Sequence, residues 1–203
     1  LDELQSLYSA LDKDLIEAEK LQQSLIKDRH KSFGPFDLSL MLHSAGHVGG
    51  DLVGLFPAGP NHLGIYAIDV SGHGISSALM TARLAGYLSS ASVAQNMALR
   101  YDKNGRVQVL PPAEVITKLN TAVLDELKTE LYFTLLLADL DLRSGAVRMA
   151  QAGHPHPLVQ RANGQIEQKG PGGLPVGLVE GAEVEGFSTT LAPGDRLLIL
   201  SDG

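Results

Sequence analysis

Three aspartates in this chain stand beside glycines: Asp51 after Gly49-Gly50, Asp69 at the head of Asp69-Val70-Ser71-Gly72-His73-Gly74, and Asp202 in Ser201-Asp202-Gly203. A single Gly-Asp or Asp-Gly pair marks a turn. Asp139 and Asp141, just before Arg143-Ser144-Gly145, are read in that way. Asp51 and Asp69 differ, because they fall near the ends of two expected strands joined by a turn at about Gly59. Counted from that turn, both reach the same distal end of a hairpin. Two carboxylates with no neighbouring Lys or Arg repel each other unless a cation lies between them. Hard divalent ions such as Mg²⁺ or Mn²⁺ take carboxylate oxygens and keep waters of their own. Asp202 is the candidate third member of the cluster.

The composition narrows the chemistry further. There is no cysteine among the 203 residues, which removes disulfides, thiolate metal sites and cysteine nucleophiles and fits a reducing cytoplasm. The formal charge of −7, from 23 acidic and 16 basic residues, is spread along the chain. Nucleic acid is therefore not an expected partner, since backbone phosphates need a clustered basic surface. No uninterrupted apolar run is long enough to span a bilayer, and no signal-type segment opens the chain, so the expectation is a soluble cytoplasmic protein without a membrane partner.

The elements that must position the aspartates follow from periodicity. Residues 1–29 lack Gly and Pro, and Leu1, Leu4, Tyr8, Leu11, Leu15, Ala18, Gln22 and Leu25 recur at alternating spacings of three and four. This heptad seam, polar only at Gln22, suits either a coiled coil that pairs two copies or an amphipathic helix packed on its own domain. Strands are expected over Phe36 to Leu42, Leu52 to Phe56, His62 to Val70, Leu131 to Leu140, Ala146 to Ala152, Pro157 to Gln160 and Asp195 to Leu200. A helix is expected from Gly74 to about Leu99, with Ile75, Leu79, Ala82 and Gly86 as its apolar stripe, and a second opens at Pro112-Ala113-Glu114. Runs of strands with two long helices between them predict an α+β domain over 31–203, preceded by a linker helix over 1–30.

Six short words appear in order: Val48-Gly49-Gly50-Asp51, Asp69 to Gly74, Tyr132-Phe133-Thr134-Leu135, Ala152-Gly153-His154-Pro155, Gly173-Leu174-Pro175-Val176-Gly177, and Pro193-Gly194-Asp195-Arg196-Leu197 through Ser201-Asp202-Gly203. Together they resemble the bacterial branch of the metal-dependent protein phosphatases, the PPM family, of SpoIIE and RsbU type. The resemblance implies an α-β-β-α sandwich of two antiparallel sheets flanked by helices, with two Mn²⁺ or Mg²⁺ ions at one end. It also implies that Asp69 bridges the ions, that the Val70 carbonyl is a further ligand, and that Asp51 and Asp202 each hold one ion. The reaction implied is attack of a metal-activated water on phosphoserine or phosphothreonine of a regulatory protein of the anti-sigma antagonist type. An upstream sensor or receiver domain is implied by the front helix. The family carries one more aspartate downstream of the Asp202-Gly203 pair, which leaves a truncated site or a ligand further along the natural chain.

The remaining polar residues have competing readings. His73, beside Asp69, is placed either to protonate a leaving alkoxide or to cap the following helix. Ser71 either contacts substrate or is that helix's N-cap, and Gly72 shares the same loop. His154 is expected to be structural by the resemblance, His47 lies near the Gly49-Gly50-Asp51 turn, and His43, His62 and His156 carry no argument beyond proximity. Gly54 stands where relatives place an acidic residue three positions after the first aspartate. That departure favours an alternative reading, a phosphatase-fold adaptor of the RssB kind that binds a partner without turnover. A third is a dimerisation relay built on the front helix.

Overall fold

The computed structural model describes residues 13, 16–17, 19–24, 29–42, 48–127 and 130–201. Its strands in chain order are β1 (His30–Phe33), β2 (Phe36–Ser39), β3 (Asp51–Ala58), β4 (His62–Val70), β5 (Leu99–Tyr101) and β6 (Val107–Val109). They continue with β7 (Phe133–Asp141), β8 (Ala146–Ala152), β9 (Leu158–Gln160), β10 (Ile166–Gln168), β11 (Gly186–Thr190) and β12 (Arg196–Leu198). Helix α1 (Ile75–Tyr87) follows β4, and α2 (Pro112–Ala122) precedes β7 and runs into a π-helical turn over Val123–Leu127. No helix among the described residues is long and apolar enough to cross a membrane.

The central sheet has the order β11-β8-β7-β4-β3, antiparallel throughout. Because side chains alternate along a strand, strands β3, β4, β7 and β8 each feed two separate cores. Ile68, Val70, Leu135 and Leu137 point to one face and pack against Leu84 of α1 and Val115, Ile116 and Leu119 of α2. Leu63, Leu136, Leu140 and Met149 point to the other, where the β1–β2 hairpin (Phe33, Phe36, Leu38) and Leu197 of β12 cover them. β12 belongs to a second antiparallel sheet, β10-β9-β12. The architecture is the expected α+β arrangement, a large antiparallel sheet between helices and a smaller sheet.

Several expectations need correction. The first helix ends at Tyr87, not near Leu99. Past it, the hydroxyls of Ser89 and Ser92 accept from the backbone N–H groups of Ala91 and Gln95, local bonds that compete with helical ones. Its buried face is Ser77, Met80, Thr81 and Leu84, whereas Ile75 and Leu79 of the expected stripe are 55% and 67% exposed. Asp141 holds its turn as expected, accepting from Arg143 N–H and Ser144 Oγ. Asp139 is no turn residue: 2% exposed within β7, it accepts from Arg148 Nε at 3.0 Å and lies 2.9 Å from His62 Nδ1. Strands β1, β5, β6, β10 and β11 are short and lacked a strong alternation signal. The seam of the front helix lies largely outside the described residues, although residues 19–23 are helical.

The hairpin core contains two matched exceptions to ordinary strand packing. Tyr66 faces Gly54 and Phe56 faces Gly64 across the β3–β4 ladder, and the rings stack with centroids 6.4 Å apart. A Cβ on Gly54 would lie 2.3 Å from the Tyr66 hydroxyl, and one on Gly64 would lie 2.1 Å from the Phe56 ring. Burial pushes the Tyr66 phenol up to about 12. Ala normally stabilises a strand relative to Gly, but here the added carbon overpacks the core. Gly64→Ala is expected to lower unfolding free energy by about 1–3 kcal/mol, measurable by urea denaturation.

The smaller sheet is fastened by ions. Arg161 donates through Nε and Nη2 to both oxygens of Glu167 and through Nη1 to Asp195 and the Thr190 carbonyl, joining β10, the turn before β12 and the end of β11. The Arg161 and Lys169 side chains hold Glu167 at about 2, below its ordinary 4.5. A depressed carboxylate stabilises the fold fully above its ordinary value, and that contribution is lost as pH falls through the folded value. Stability should therefore decline from about pH 4.5 toward pH 2, with a shallower decline in Glu167→Gln, as read from thermal melts across that range.

Candidate functional site

The chemistry-bearing residues gather where β3 begins and β4 ends. Asp51 pairs with Asp69, and Asp69 pairs with Thr134 of β7. Val70 N–H donates to the Gly50 carbonyl at 3.0 Å, and Ser71 N–H donates to the Tyr132 carbonyl at 2.8 Å. In an antiparallel ladder successive residues turn their amides to alternate neighbours, so Asp51 and Asp69 form a non-hydrogen-bonded pair. Such pairs have Cα atoms about 4.5 Å apart, closer than the about 5.5 Å of the bonded kind that joins Asp69 to Thr134. The three side chains share the sheet face that points away from the helices. The expectation that both aspartates occupy the distal end of one hairpin agrees with this register.

Gly50 makes the approach possible. A Cβ at this position would lie 2.3 Å from the Val70 carbonyl oxygen, so no other residue fits without displacing that carbonyl. Val70 itself is buried, its side chain in the helix-facing core, and only its carbonyl is available to the carboxylate end. Gln22, from the front segment, closes the same loop from outside. Its Nε2 donates to the Gly49 carbonyl at 2.6 Å and to Thr81 Oγ1 at 3.2 Å, and its Oε1 accepts from Gly49 N–H at 3.1 Å. The one polar residue of the heptad seam thus joins the front helix to α1 and to the loop before Asp51.

Gly54, the departure from the resemblance, lies three residues after Asp51 and so on the opposite face of β3, beneath Tyr66. A carboxylate there would enter the apolar core beside the helices rather than the cluster of aspartates.

The loop after Val70 is partly structural. Ser71 Oγ accepts from Tyr132 N–H at 3.1 Å, and its carbonyl accepts from Ser77 Oγ at 3.2 Å. Ser71 is therefore not the N-cap of α1. The cap is Gly74, with no side-chain cap hydrogen bond, so His73 does not cap the helix either. Gly72 and Gly74 have φ of 83° and 85°, a region that favours glycine, and between them they hold His73 at the exposed surface.

Other words of the sequence converge on the same end. Phe133 and Val176 exchange two backbone hydrogen bonds, of 3.0 and 2.9 Å, which seats the Gly173–Gly177 loop beside Val70's partner strand. Asn120 of α2 anchors that loop, accepting from Gly177 N–H at 2.7 Å and donating to the Val179 carbonyl at 2.9 Å. His154 Nδ1 lies 2.9 Å from Thr134 Oγ1. His62 pairs with Asp139 and His156 Nδ1 lies 3.1 Å from the Lys169 carbonyl, so both serve the framework. His43, His47, Asp202 and Gly203 lie outside the described residues. Among the described residues no group of three or more His, Asp or Glu is placed to hold a metal ion. Asn120 was not singled out in the sequence, Thr134 stood there only within the word Tyr132-Phe133-Thr134-Leu135, and Gln22 was named only for the seam. Only Gln22 gave a signal, as the polar break in an apolar seam.

Comparison with known proteins places this geometry among relatives. The family model for Stage II sporulation protein E (SpoIIE) matches residues 59–203. Phosphoserine phosphatase RsbP of Bacillus subtilis (strain 168) is 27% identical over 161 residues, covering 79% of this chain and 38% of that protein. The chain thus spans well under half the length of this curated relative. The structure of the RsbU and RsbW domains of a Mycobacterium tuberculosis protein superimposes with a TM-score of 0.57 at 26% identity, covering 79% of this chain and 40% of that one. The SiaA-PP2C domain of Pseudomonas aeruginosa shares the fold with a TM-score of 0.68 at 18% identity, over 94% of this chain and 71% of that one.

The Gly50 contact yields a direct test. Gly50→Ala should cost about 1–3 kcal/mol in urea denaturation, the range for overpacking a close contact. An unchanged unfolding midpoint would show that the Val70 carbonyl has room to move.

Proposed function

The chain belongs to the SpoIIE family, and from that membership and the opposed pair Asp51 and Asp69 we propose that it is a metal-dependent phosphatase domain acting on phosphoserine or phosphothreonine of a regulatory protein in bacterial signalling. The observation that carries this reading is the register of β3 and β4, which sets two carboxylates side by side at the closest cross-strand spacing. Like charges directly opposite each other destabilise a sheet, and an all-oxygen donor set at that spacing suits Mg²⁺ or Mn²⁺. The close approach that only glycine permits at position 50 adds the Val70 carbonyl to the set.

In this reading Asp69 holds both of two divalent ions, Asp51 and the Val70 carbonyl assist, and Asp202 is the third carboxylate. Asp202 is included because Ser201-Asp202-Gly203 matches the last of the six family words. When bound, such ions supply a water of lowered pKa and neutralise charge on a phosphoryl group. The amides of the first turn of α1, whose cap at Gly74 makes no side-chain bond, offer donors to phosphoryl oxygens. His73, exposed between two glycines, is a candidate to protonate the departing alkoxide. Ser71 would meet substrate through its hydroxyl proton, since its Oγ only accepts from Tyr132 N–H while its own N–H and carbonyl are both engaged. The adaptor alternative drew on Gly54 and on the missing downstream aspartate, and the position of Gly54 on the other face of β3 removes the first of these two supports.

The test is phosphate release from p-nitrophenyl phosphate and from a phosphoserine peptide, after chelation and on titration with Mn²⁺. Turnover should appear only with added ion, and Asp69→Asn should lower kcat/KM on the order of a thousandfold, equivalent to the several kcal/mol a metal centre supplies. Equal turnover in chelator would overturn the reading.

A further inference from the structure

Thr134 is the one hydroxyl residue on β7, a strand otherwise apolar up to Asp139. It stands beside Asp69 on the same face, on the side away from Asp51. Its Oγ1 lies 2.9 Å from Nδ1 of His154, and His154 is only 3% exposed. A parallel bridge between Leu135 and Gly153 brings the two segments together, and Gln151, also buried, donates from Nε2 to the His154 carbonyl at 2.8 Å. A buried imidazole costs stability unless its hydrogen bonds serve the fold or the site, and the hydroxyl it meets is half-buried. The backbone on either side of this pair is thus fixed by two contacts, and the pair ends next to the carboxylate.

We propose that His154 and Thr134 are positioning residues for Asp69, the imidazole orienting the threonine hydroxyl so that it steadies the carboxylate for a divalent ion. Threonine has a single proton to donate. If Nδ1 of His154 carries its proton and donates to Thr134 Oγ1, the hydroxyl proton is left for the neighbour across the strand, which is Asp69. At the about 5.5 Å Cα spacing of a hydrogen-bonded pair, the hydroxyl reaches a carboxylate directly or through one water. Carboxylate ligands to metals are commonly fixed by such outer partners, whose loss costs about 10- to 100-fold in metal affinity. The inference rests on the metal-site reading of Asp69 given above.

Mn²⁺ binding, measured by calorimetry without substrate, tests it. Thr134→Val and His154→Leu should weaken binding about tenfold or more. Thr134→Ser, which keeps the hydroxyl, and His154→Asn, whose amide can donate near the place of Nδ1, should stay within about threefold of the parent. Melting of the metal-free proteins identifies any variant that fails to fold, and Thr134→Ala then replaces Thr134→Val and is read in the same way. Parent-like affinity in Thr134→Val, or equal losses in the serine and asparagine variants, would overturn the proposal. If the parent binds Mn²⁺ and Asp69→Asn does not, such a result removes only the role of His154 and Thr134. No binding by the parent would remove the metal-site reading and this inference with it.

Discussion

Two carboxylates facing each other across adjacent strands form a costly arrangement, and much of this domain is organised around that fact. Asp51 and Asp69 meet as a non-hydrogen-bonded pair, the type with the shorter cross-strand distance. Placed anywhere else in the ladder, such a pair would only weaken it. At the mouth of the hairpin, beside a carbonyl that Gly50 leaves approachable, it becomes a set of oxygens that a doubly charged ion can balance. On the proposed reading, the acidic residues mark a place where fold stability is given up to a local purpose.

The described segments around the pair are braced by hydrogen bonds. The Gly173–Gly177 loop is hydrogen-bonded to Phe133 and clamped by Asn120, the turn after Val70 is bonded through Ser71 to Tyr132, and Gln22 holds Gly49 on the opposite side. These contacts come from segments far apart in the chain, yet each touches a residue within a few positions of Asp51, Asp69 or Thr134. Side chains that must hold a fixed separation are better placed on strands and braced loops than on free ones. The salt-bridged smaller sheet serves the same end at one remove, because β12 within it runs toward His154.

The hairpin and its two aspartates were legible in the sequence, since counting residues from a turn is a local operation. The row that continues to Thr134 was not, because the β4–β7 register joins segments more than sixty residues apart and no local pattern states it. Asp139 misled for a similar reason. Its neighbours in sequence suggest a turn, while its partners Arg148 and His62 are supplied by strands on either side. The end of α1 was missed because Ala, Leu and Met continue past Tyr87 with good helical propensity, and the serine hydroxyls that divert the backbone carry little weight in a periodicity count. Its inward face was misjudged because Ser77 and Thr81, small and polar, are buried there while Ile75 and Leu79 are not. For Gly54, likeness to relatives suggested a lost ligand, and strand geometry gives a simpler account: the position belongs to Tyr66.

The aromatic rings laid over glycines have an effect beyond filling space. A slip of two residues keeps every side chain on its own face, so alternation alone does not forbid it. In this hairpin such a slip would drive Tyr66 onto Leu52 or Phe56 in place of Gly54, and would leave Asp69 facing Gly49 or Val53 in place of Asp51. Each ring and its glycine act as a notch and tooth that admit a single alignment. The spacing of the two acidic groups is thus enforced from the far side of the sheet, by residues that never touch them.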